Sequence, residues 1–403
     1  MEAGYAYGEV FTTPRLLRVL AEGRTETIAQ GDNPPWNGAT WSDGSFYVAE
    51  GGERDGGRIL RIDASGAIEP LAEGLPSLGD HHTDGPAVGP DGWVYFGQGT
   101  ATNSAVVGLD NRAFGWMERH ADFHDVPCQD VVLRGVDYGT RDPSRGGRVH
   151  TGAYSAYGTP TEAGQRIEGS VPCNGAILRV RPFGGDVELV AWGMRNPFGL
   201  AFAPDGRLFV TDNGYDVRGS RPVFGSGDWL WEVTPGAWYG WPDYADGDPL
   251  GPRYRAPWHK APRSLLAELP GTPPKPTAIF ASHASANGID FSREARFGHV
   301  GEAFVATFGD MAPGVGKVLH PVGFQVVRVD VATGRIEEFA SNEGPRNGPA
   351  SRLGSGGLER PVAVRFDPDG TSLYVVDFGV LRMEGPQPQP MPGTGVLWRI
   401  WHE

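Results

Sequence analysis

The segment 80–83 (D-H-H-T) holds the residues of this sequence best suited to acid–base chemistry. A histidine titrates near neutral pH and one of its ring nitrogens can accept a proton, so His81 is a candidate general base. His283, in a similar place ahead of an apolar stretch, is a rival candidate. The alternative is a capped turn with solvated imidazoles. The carboxylates that could orient the histidine are Asp80, Asp84 and Asp310.

A second candidate site is the pair Arg195-Asn196. A guanidinium offers a planar fork of donors that matches a carboxylate or an o-quinone oxygen, and it also stacks on aromatic rings. The alternative is an arginine bonded to loop carbonyls beside a turn. Both interpretations stay open at the level of the residues alone.

The segment 212–216 (D-N-G-Y-D) resembles half of a calcium loop. Hard cations need several oxygen ligands, and a glycine-containing turn can present carbonyls beside carboxamide and carboxylate groups. The spacing and the distal glutamate of an EF-hand are absent. The sequence also has no Cys/His spacing for zinc, no haem-attachment motif, no G-x-S-x-G and no P-loop.

These candidate residues flank a predicted hairpin in the segment 192–215. Two short apolar runs there are joined by Asp205-Gly206, which predicts a type I′ turn because both central residues of that turn have positive φ. Asn196 lies where the first strand enters, and segment 212–214 follows the second strand. The polar ends of this hairpin are therefore where we expect chemistry.

The same hairpin recurs along the chain, which decides the predicted fold. Five copies occur, at 37–50, 85–98, 196–212, 287–307 and 361–377. An apolar outer strand, usually broken by one arginine, occurs six times, at 16–19, 59–62, 177–180, 230–233, 326–329 and 397–400. Period-2 alternation with this recurrence indicates an all-β fold of four-stranded blades around an axis, a β-propeller.

The unequal counts predict six blades, of which the first is truncated at the N-terminus and begins near Arg15. A five-bladed propeller with an N-terminal addition is the weaker alternative. No linker marks a second domain, so residues 1–403 are predicted to form one propeller domain. Long insertions are expected at about 109–167, 224–283 and 308–324, and loops at one end of a propeller commonly build its site.

Composition narrows the possible partners. The formal net charge of −14 argues against nucleic acid or an anionic membrane and favours a soluble monomer or a neutral substrate. No apolar run approaches the roughly 18 residues that span a bilayer. Residues 1–8 show no basic region followed by an apolar one, so no signal peptide is visible.

The two cysteines, Cys128 and Cys173, both occur in the context V-P-C. They could join the ends of a long insertion in an oxidising compartment. Two unrelated free thiols are an equally plausible interpretation, because sequence spacing alone does not define a bridge.

The segment 193–214 (G-M-R-N-P-F-G-L-A-F-A-P-D-G-R-L-F-V-T-D-N-G), with 236–243 (G-A-W-Y-G-W-P-D), resembles the glucose/sorbosone dehydrogenase family. Members of that family are six-bladed propellers that oxidise sugars with pyrroloquinoline quinone (PQQ) and calcium. The resemblance covers most of the chain through the repeated hairpins. In the family, the base is a histidine eight residues ahead of a Gly-Pro-Asp turn. His81 stands eight residues ahead of Gly89, so the resemblance assigns the role to it rather than to His82.

The resemblance also implies the residues around the cofactor. The family's Arg-Asn pair beside the quinone falls on Arg195, which would polarise the quinone, and on Asn196. Its amide residue falls on Asn213, which has a shorter side chain than the usual glutamine. The first of two arginines that lead into the last hairpin falls on Arg360.

The carbonyls that hold the catalytic calcium in the family fall on Gly214 and Tyr215, with Asn213 or Asp216 assisting. Three other positions depart from the pattern. Val362 stands in place of the second arginine, Gly85 in place of another arginine, and segment 308–310 (F-G-D) in place of a lysine. Lys317, in the inserted loop, is the candidate substitute for that lysine.

The sequence therefore predicts a PQQ-dependent oxidoreductase that oxidises an aldose or a related sugar alcohol or aldehyde, with an unidentified electron acceptor. The alternatives are a calcium-dependent hydrolase of the lactonase type and a non-catalytic propeller that binds a glycan or protein. The resemblance implies a periplasmic or extracellular location. The secreted habit of the family also implies a disulfide between Cys128 and Cys173.

Overall fold

A computed structural model describes residues 1, 12–20, 23–144, 146–344 and 346–402. The N-terminal stretch without a visible signal peptide lies outside these residues except for Met1. The strands are β1 (Arg15–Val19), β2 (Thr25–Gln30), β3 (Trp36–Ser42), β4 (Ser45–Glu50), β5 (Gly57–Asp63), β6 (Ile68–Leu75), β7 (Thr83–Val88), β8 (Val94–Gln98), β9 (Val131–Arg134), β10 (Tyr138–Asp142), β11 (Gly147–Thr151), β12 (Ala163–Ile167), β13 (Ala176–Val180), β14 (Glu188–Trp192), β15 (Pro197–Phe202), β16 (Leu208–Asp212), β17 (Asp228–Glu232), β18 (Tyr244–Ala245), β19 (Asp248–Pro249), β20 (Ala278–Phe280), β21 (Ala286–Phe291), β22 (Ala303–Thr307), β23 (Gln325–Asp330), β24 (Arg335–Ala340), β25 (Pro361–Phe366), β26 (Ser372–Asp377), β27 (Leu381–Glu384), β28 (Gln387–Pro390) and β29 (Val396–Trp401). The helices are short: α1 (Leu109–Ala113), α2 (Trp116–Arg119), α3 (Ala350–Leu353) and a 3-10 turn at Pro252–Tyr254.

Five antiparallel sheets form the blades of an all-β propeller in the described part of the chain. Four of them have four strands, in the orders β3-β4-β5-β6, β7-β8-β13-β14, β15-β16-β17-β20 and β21-β22-β23-β24. The fifth has three, β25-β26-β29. The first strand of each blade contacts the first strand of the next, from β3 through β7, β15 and β21 to β25. All five predicted hairpins are thus confirmed as the inner pairs of blades, which accounts for their alternating pattern.

The hairpin turns correct one prediction. Asp43 and Gly44 both have positive φ (47° and 79°), as a type I′ turn requires. The loop after β15 is longer and is a different turn. Gly206, at φ 88°, donates its N–H to the carbonyl of Ala203 at 2.9 Å, whereas Asp205 is not among the positive-φ residues described. Pro204 explains the difference, because proline fixes a negative φ at the second position of a type I turn.

The two-stranded sheet β1-β2 resembles the outer half of a blade. In β1-β2 the register shifts between Leu16 and Leu17. The outer pairs β5-β6, β13-β14 and β23-β24 shift at the matching place, for example between Ile59 and Leu60. Leu16 packs in a buried cluster with Trp36 of the first blade. The six predicted outer strands are all found in strands, five of them in blades and the sixth in β1.

Two of the insertions contain most of the helices and strands that do not belong to a blade. Segment 109–167 contains α1, α2 and β9–β12. Segment 224–283 contains β17 and β20, which belong to the third blade, so the added loop lies between these two strands. No helix in the described part of the chain is long and apolar enough to cross a membrane.

A buried ion pair anchors this added loop. Arg221 is fully buried, and its guanidinium donates to Asp243 Oδ1 at 3.0 Å and to the carbonyl of Pro242 at 2.7 Å. Asp243 Oδ2 in turn accepts the N–H groups of Leu265 and Leu266, each at 2.9 Å. The pair therefore ties two stretches of the loop to each other and to the segment ahead of β17 that contains Arg221.

The predicted disulfide between Cys128 and Cys173 is confirmed. The two Cα atoms are 5.0 Å apart, and 45 positions separate the residues in the chain. Both cysteines are buried. The bridge joins the insertion that contains α1 to the start of the third strand of the second blade.

Replacing both cysteines with serine is expected to lower the free energy of unfolding by about 2–4 kcal/mol, because the unfolded chain then regains the freedom of a long loop. Urea unfolding followed by tryptophan fluorescence measures the change. Wild-type protein treated with a reductant is the control and should show a similar loss. A loss below about 0.5 kcal/mol for the double variant would show that the bridge contributes little.

Candidate functional site

The candidate residues lie just ahead of the inner strands, at one end of the propeller axis. The first residues of three inner strands occupy equivalent register positions: Thr83 faces Gln98, Pro197 faces Asp212, and Pro361 faces Asp377. His81 and Arg195 each stand two residues ahead of their strand, and Arg360 stands one ahead. The fold thus brings side chains that are far apart in sequence to the same end of neighbouring blades.

Acidic residues at the ends of the partner strands hold these segments in place. Asp212 Oδ1 accepts the backbone N–H groups of Arg195 at 3.1 Å and Asn196 at 2.7 Å. Burial raises the pKa of Asp212 to about 7. Asp377 Oδ1 does the same for the N–H of Arg360, at 2.9 Å. The backbone of the Arg195-Asn196 segment and that of Arg360 are therefore each fixed by a carboxylate of their own blade.

The imidazole of His81 is oriented by Thr100. Its Nδ1 lies 2.9 Å from the carbonyl oxygen of Thr100 and 3.1 Å from Thr100 Oγ1. A carbonyl can only accept, so Nδ1 carries the proton and Nε2 is the basic nitrogen. Burial, and then the nearby Arg195, lower the pKa of His81 well below 6.5. Nε2 has no hydrogen-bond partner among the described residues.

The orientation of His81 differs from the expected one, since no aspartate bonds its ring in the described structure. Asp80 bonds Asn111, Asp310 accepts the N–H groups of its own loop, and Asp84 is buried, which raises its pKa well above 3.8. The ring of His82 contacts Ser77 and Trp116 instead. Its Nδ1 lies 3.0 Å from the carbonyl of Ser77, and its ring centroid is 6.5 Å from that of Trp116.

Gly99 is what allows His81 to lie against the neighbouring strand exit. A Cβ at position 99 would overlap the Cβ of His81 and would lie 3.2 Å from Asn196 Oδ1. His81 and Asn196 therefore approach the same point on the backbone. The two predicted site segments, from the second and third blades, meet here.

Arg195 is buried, with 2% of its side chain exposed, and its guanidinium is bonded within the chain. Nη2 donates to Asn103 Oδ1 and to Asp216 Oδ2, both at 2.9 Å. Nε donates to the carbonyl of Asn103 at 3.2 Å, and Nη1 to that of Asn213 at 3.3 Å. The predicted quinone contact would therefore compete with four existing hydrogen bonds.

A second arginine, Arg218, joins three carboxylates beside Arg195. Its Nη1 lies 2.8 Å from Asp80 Oδ2 and 2.7 Å from Asp110 Oδ2, and its Nε lies 3.0 Å from Asp216 Oδ2. We call Arg218, Asp80, Asp110 and Asp216 the Arg218 cluster. Burial raises the pKa of Asp80 to about 6. With Arg195, three carboxylates face two guanidiniums, so the group carries one net negative charge when all three are ionised.

Sequence reasoning missed Arg218, Asp110 and Thr100. Arg218 follows the calcium-like segment directly, but its partner Asp110 is 108 positions away in the chain. No local pattern in the sequence signals such a contact. The cluster is defined by the way that α1 packs over the axis end.

His283, the other candidate general base, lies beside Asp216 of the Arg218 cluster. Its Nδ1 is 3.7 Å from Asp216 Oδ1, and 8% of its side chain is exposed. The loop 308–324 covers this side of the site, since the N–H of Val217 donates to the carbonyl of Val315 at 2.8 Å. His283 is therefore placed as a second polar contact of the cluster.

Asn196 and Asn213 form a pair beside His81. Asn196 Nδ2 donates to Asn213 Oδ1 at 3.0 Å, and Asn213 Nδ2 donates to the carbonyl of Ala286 at 2.8 Å. Asn196 Oδ1 is buried and has no hydrogen-bond partner among the described residues. This oxygen is an acceptor that a bound donor would satisfy.

Arg360 makes its own contacts, separate from those of Asn196, Asn213 and the Arg218 cluster. It is 2% exposed, lies over the rings of Phe308 and Phe324, and donates to the carbonyls of Gly309 at 3.0 Å and Asp310 at 3.1 Å. Burial lowers its pKa to about 10. No hydrogen bond or ion pair in the described structure connects it to the Arg218 cluster. Lys317 is exposed on the covering loop.

The predicted calcium ligands are also engaged. The N–H of Gly214 donates to Asp228 Oδ1 at 2.8 Å, and the carbonyl of Tyr215 accepts the hydroxyl of Ser226 at 3.4 Å. Asp216 is paired with two arginines. Among the described residues, no group of three His, Cys, Asp or Glu side chains is arranged to hold a metal ion. That arrangement concerns side chains only, whereas the predicted ligands are backbone carbonyls, so the calcium site stays a prediction.

The same test applies to PQQ, which carries three carboxylates and therefore needs free cations. Arg195, Arg218 and Arg360 are all committed to oxygens of the chain. Among the buried side-chain atoms without a hydrogen-bond partner in the described structure, Asn196 Oδ1 and Asp110 Oδ1 are acceptors, and Arg360 Nε is a donor that lies outside the Arg218 cluster. These residues do not fit PQQ as a permanently held group.

The fold is that of a β-propeller, and solved structures show the same architecture. The chain is similar to a putative oxidoreductase (glucose dehydrogenase) from Thermus thermophilus, at 20% identity and a TM-score of 0.51, covering 96% of this chain and 89% of that one. It is also similar to the holo form of the PQQ domain of a pyranose dehydrogenase from Coprinopsis cinerea, at 16% identity and a TM-score of 0.51, covering 90% and 84%.

No protein-family profile matches the chain, and no curated protein matches it. The similarity to sugar dehydrogenase propellers is therefore shown for the fold. Which ligand and which reaction this chain supports must be argued from its own residues.

Proposed function

We propose that this protein is a sugar oxidoreductase in which His81 is the general base. The observation that carries the proposal is the orientation of His81 by the Thr100 carbonyl, at 2.9 Å from Nδ1. That bond leaves Nε2 as an unprotonated acceptor at the axis end. The likeness in fold to glucose and pyranose dehydrogenases supports a sugar as the substrate.

In this proposal Nε2 of His81 takes the proton of a sugar hydroxyl, and Thr100 keeps the ring in the required tautomer. Oxidation of the same carbon also requires a two-electron acceptor. The sequence indicates PQQ assisted by calcium, with Arg195, Asn196, Asn213 and Arg360 toward the cofactor and Gly214 and Tyr215 toward the metal. Because the arginines are bonded within the chain, the residues do not fit PQQ as they stand, and we derive no step through PQQ or calcium.

The test is an oxidation assay with the purified protein. We expect aldoses to be oxidised, with reduction of an artificial electron acceptor, when PQQ and calcium are supplied in excess. Repeating the assay without PQQ, and with a calcium chelator, shows which of the two is required. Hydrolysis of a lactone that needs calcium and ignores PQQ would replace the proposal with the hydrolase alternative. Binding of glycans without turnover would replace it with the binding alternative.

We further propose that β1 and β2 are the outer strands of a sixth, incomplete blade, and that the whole chain is one propeller domain. The register shift in β1-β2, shared with the outer pairs of three blades, supports this assignment. A periplasmic or extracellular location is the matching proposal. The disulfide between Cys128 and Cys173 supports it, because such bridges persist in oxidising compartments.

A further inference from the structure

The charges at the axis end are paired within the chain. Asp216 Oδ2 binds both Arg195 Nη2 at 2.9 Å and Arg218 Nε at 3.0 Å, and Arg218 also reaches Asp80 and Asp110. Three carboxylates thus outnumber two guanidiniums. An incoming polyanion would meet a net negative charge in a poorly solvated place, where such repulsion is strong.

A ligand carboxylate could reach Arg195 only at the expense of an existing bond. Arg195 already donates to Asp216, Asn103 and Asn213. Withdrawing it would leave Asp216, whose side chain is 13% exposed, with one cation fewer. Buried charges that lose a partner are strongly unfavourable. Asp216 is thus the residue that withholds Arg195 from an anionic ligand.

The unpartnered atoms beside Arg195, Arg218 and His81 have the opposite preference. Asp110 Oδ1 and Asn196 Oδ1 are buried acceptors without a hydrogen bond in the described structure, and His81 Nε2 is a third acceptor. Hydroxyl groups donate to such atoms, whereas carboxylates and quinone oxygens do not. The site therefore complements a neutral polyhydroxy compound.

We infer that this chain does not keep PQQ as a permanently held group, and that its axis-end site is built for a neutral polyhydroxy ligand. The two-electron acceptor of the proposed oxidation then binds and leaves in each turnover. The inference rests on the proposed function, because it concerns the same site and takes a sugar as its ligand. Asp216 is the residue that sets this preference.

Equilibrium dialysis of the purified protein against PQQ and calcium tests the inference directly. We expect wild-type protein to lose PQQ when the free quinone is removed. Asp216→Asn removes one negative charge and releases Arg195, and it should lower the dissociation constant for PQQ at least tenfold. Asp122→Asn is the matched control, because Asp122 is 90% exposed and remote from the cluster but carries the same charge.

Retention of PQQ by the wild-type protein through dialysis would overturn the inference, as would equal affinities for Asp216→Asn and Asp122→Asn. If Asp216→Asn does not fold, Val362→Arg supplies a cation without breaking the cluster and should also bind PQQ more tightly than wild type. A thermal-shift series with aldoses separates the two proposals. If no aldose raises the melting temperature and none is oxidised, the proposed function fails, whatever the behaviour of PQQ.

Discussion

Replacing His81 with alanine is expected to lower kcat for sugar oxidation by about 10²–10⁴-fold, the usual loss when a general base is removed. The bond from Nδ1 of His81 to the carbonyl of Thr100 leaves Nε2 of His81 as the base. His82→Ala is the matched control, because His82 bonds the carbonyl of Ser77 on the other side of the segment. Steady-state rates with a saturating aldose and acceptor measure both variants.

A comparable loss in His82→Ala would contradict the assignment, because it would show that packing of the segment matters rather than the base. The pH profile is the second measurement. Burial and Arg195 lower the pKa of His81 well below 6.5, so the base stays unprotonated on the acid side of neutrality. We therefore expect kcat/KM to stay level as the pH falls past 6.5 and to decline only at lower pH.

Replacing Arg221 with methionine is expected to lower the free energy of unfolding by about 3–5 kcal/mol, because Asp243 then remains buried without its cation. The added loop of the third blade should loosen first, since this pair holds two of its stretches to the segment ahead of β17. Urea unfolding measures the loss. Arg253→Met is the control, because Arg253 pairs with Asp248 at 3.0 Å and with the buried Asp246 at 3.3 Å but is itself 62% exposed, so water can take its place.

An exposed pair of that kind contributes no more than about 1 kcal/mol. If Arg221→Met lowers the free energy of unfolding as little as Arg253→Met does, the backbone N–H groups of Leu265 and Leu266 are sufficient to hold Asp243. The contrast between the two variants therefore isolates the role of burial from that of charge.

The blades could be predicted from the sequence because their signals are local. Four of the five hairpins combine a two-residue alternation with an Asp-Gly turn dipeptide, the hairpin at 287–307 has a longer turn, and each outer strand repeats a similar short pattern. The prediction of a type I′ turn at Asp205-Gly206 was wrong because the preference of Pro204 for a type I turn outweighs that of the Asp-Gly pair. A rule based on two residues is insufficient here, because the type of a β-turn depends on all four of its residues.

The residues that line the axis end could be predicted only in part. His81, Arg195 and Asn196 were found because they sit next to a recognisable hairpin. Their partners were not, since Arg195 bonds Asn103 from 92 positions away and Arg218 bonds Asp110 from 108 away. Whether an arginine is free for a ligand or used by the fold depends on such distant contacts, which no local pattern contains.

The register of the axis-end residues bears on how such a protein changes over evolutionary time. His81, Arg195 and Arg360 precede their strands, so the ladder hydrogen bonds of a blade do not depend on their side chains. Three of the five described blades each present one such side chain to the same end of the propeller. During evolution these side chains can therefore be exchanged without altering the strand pairing of their blades.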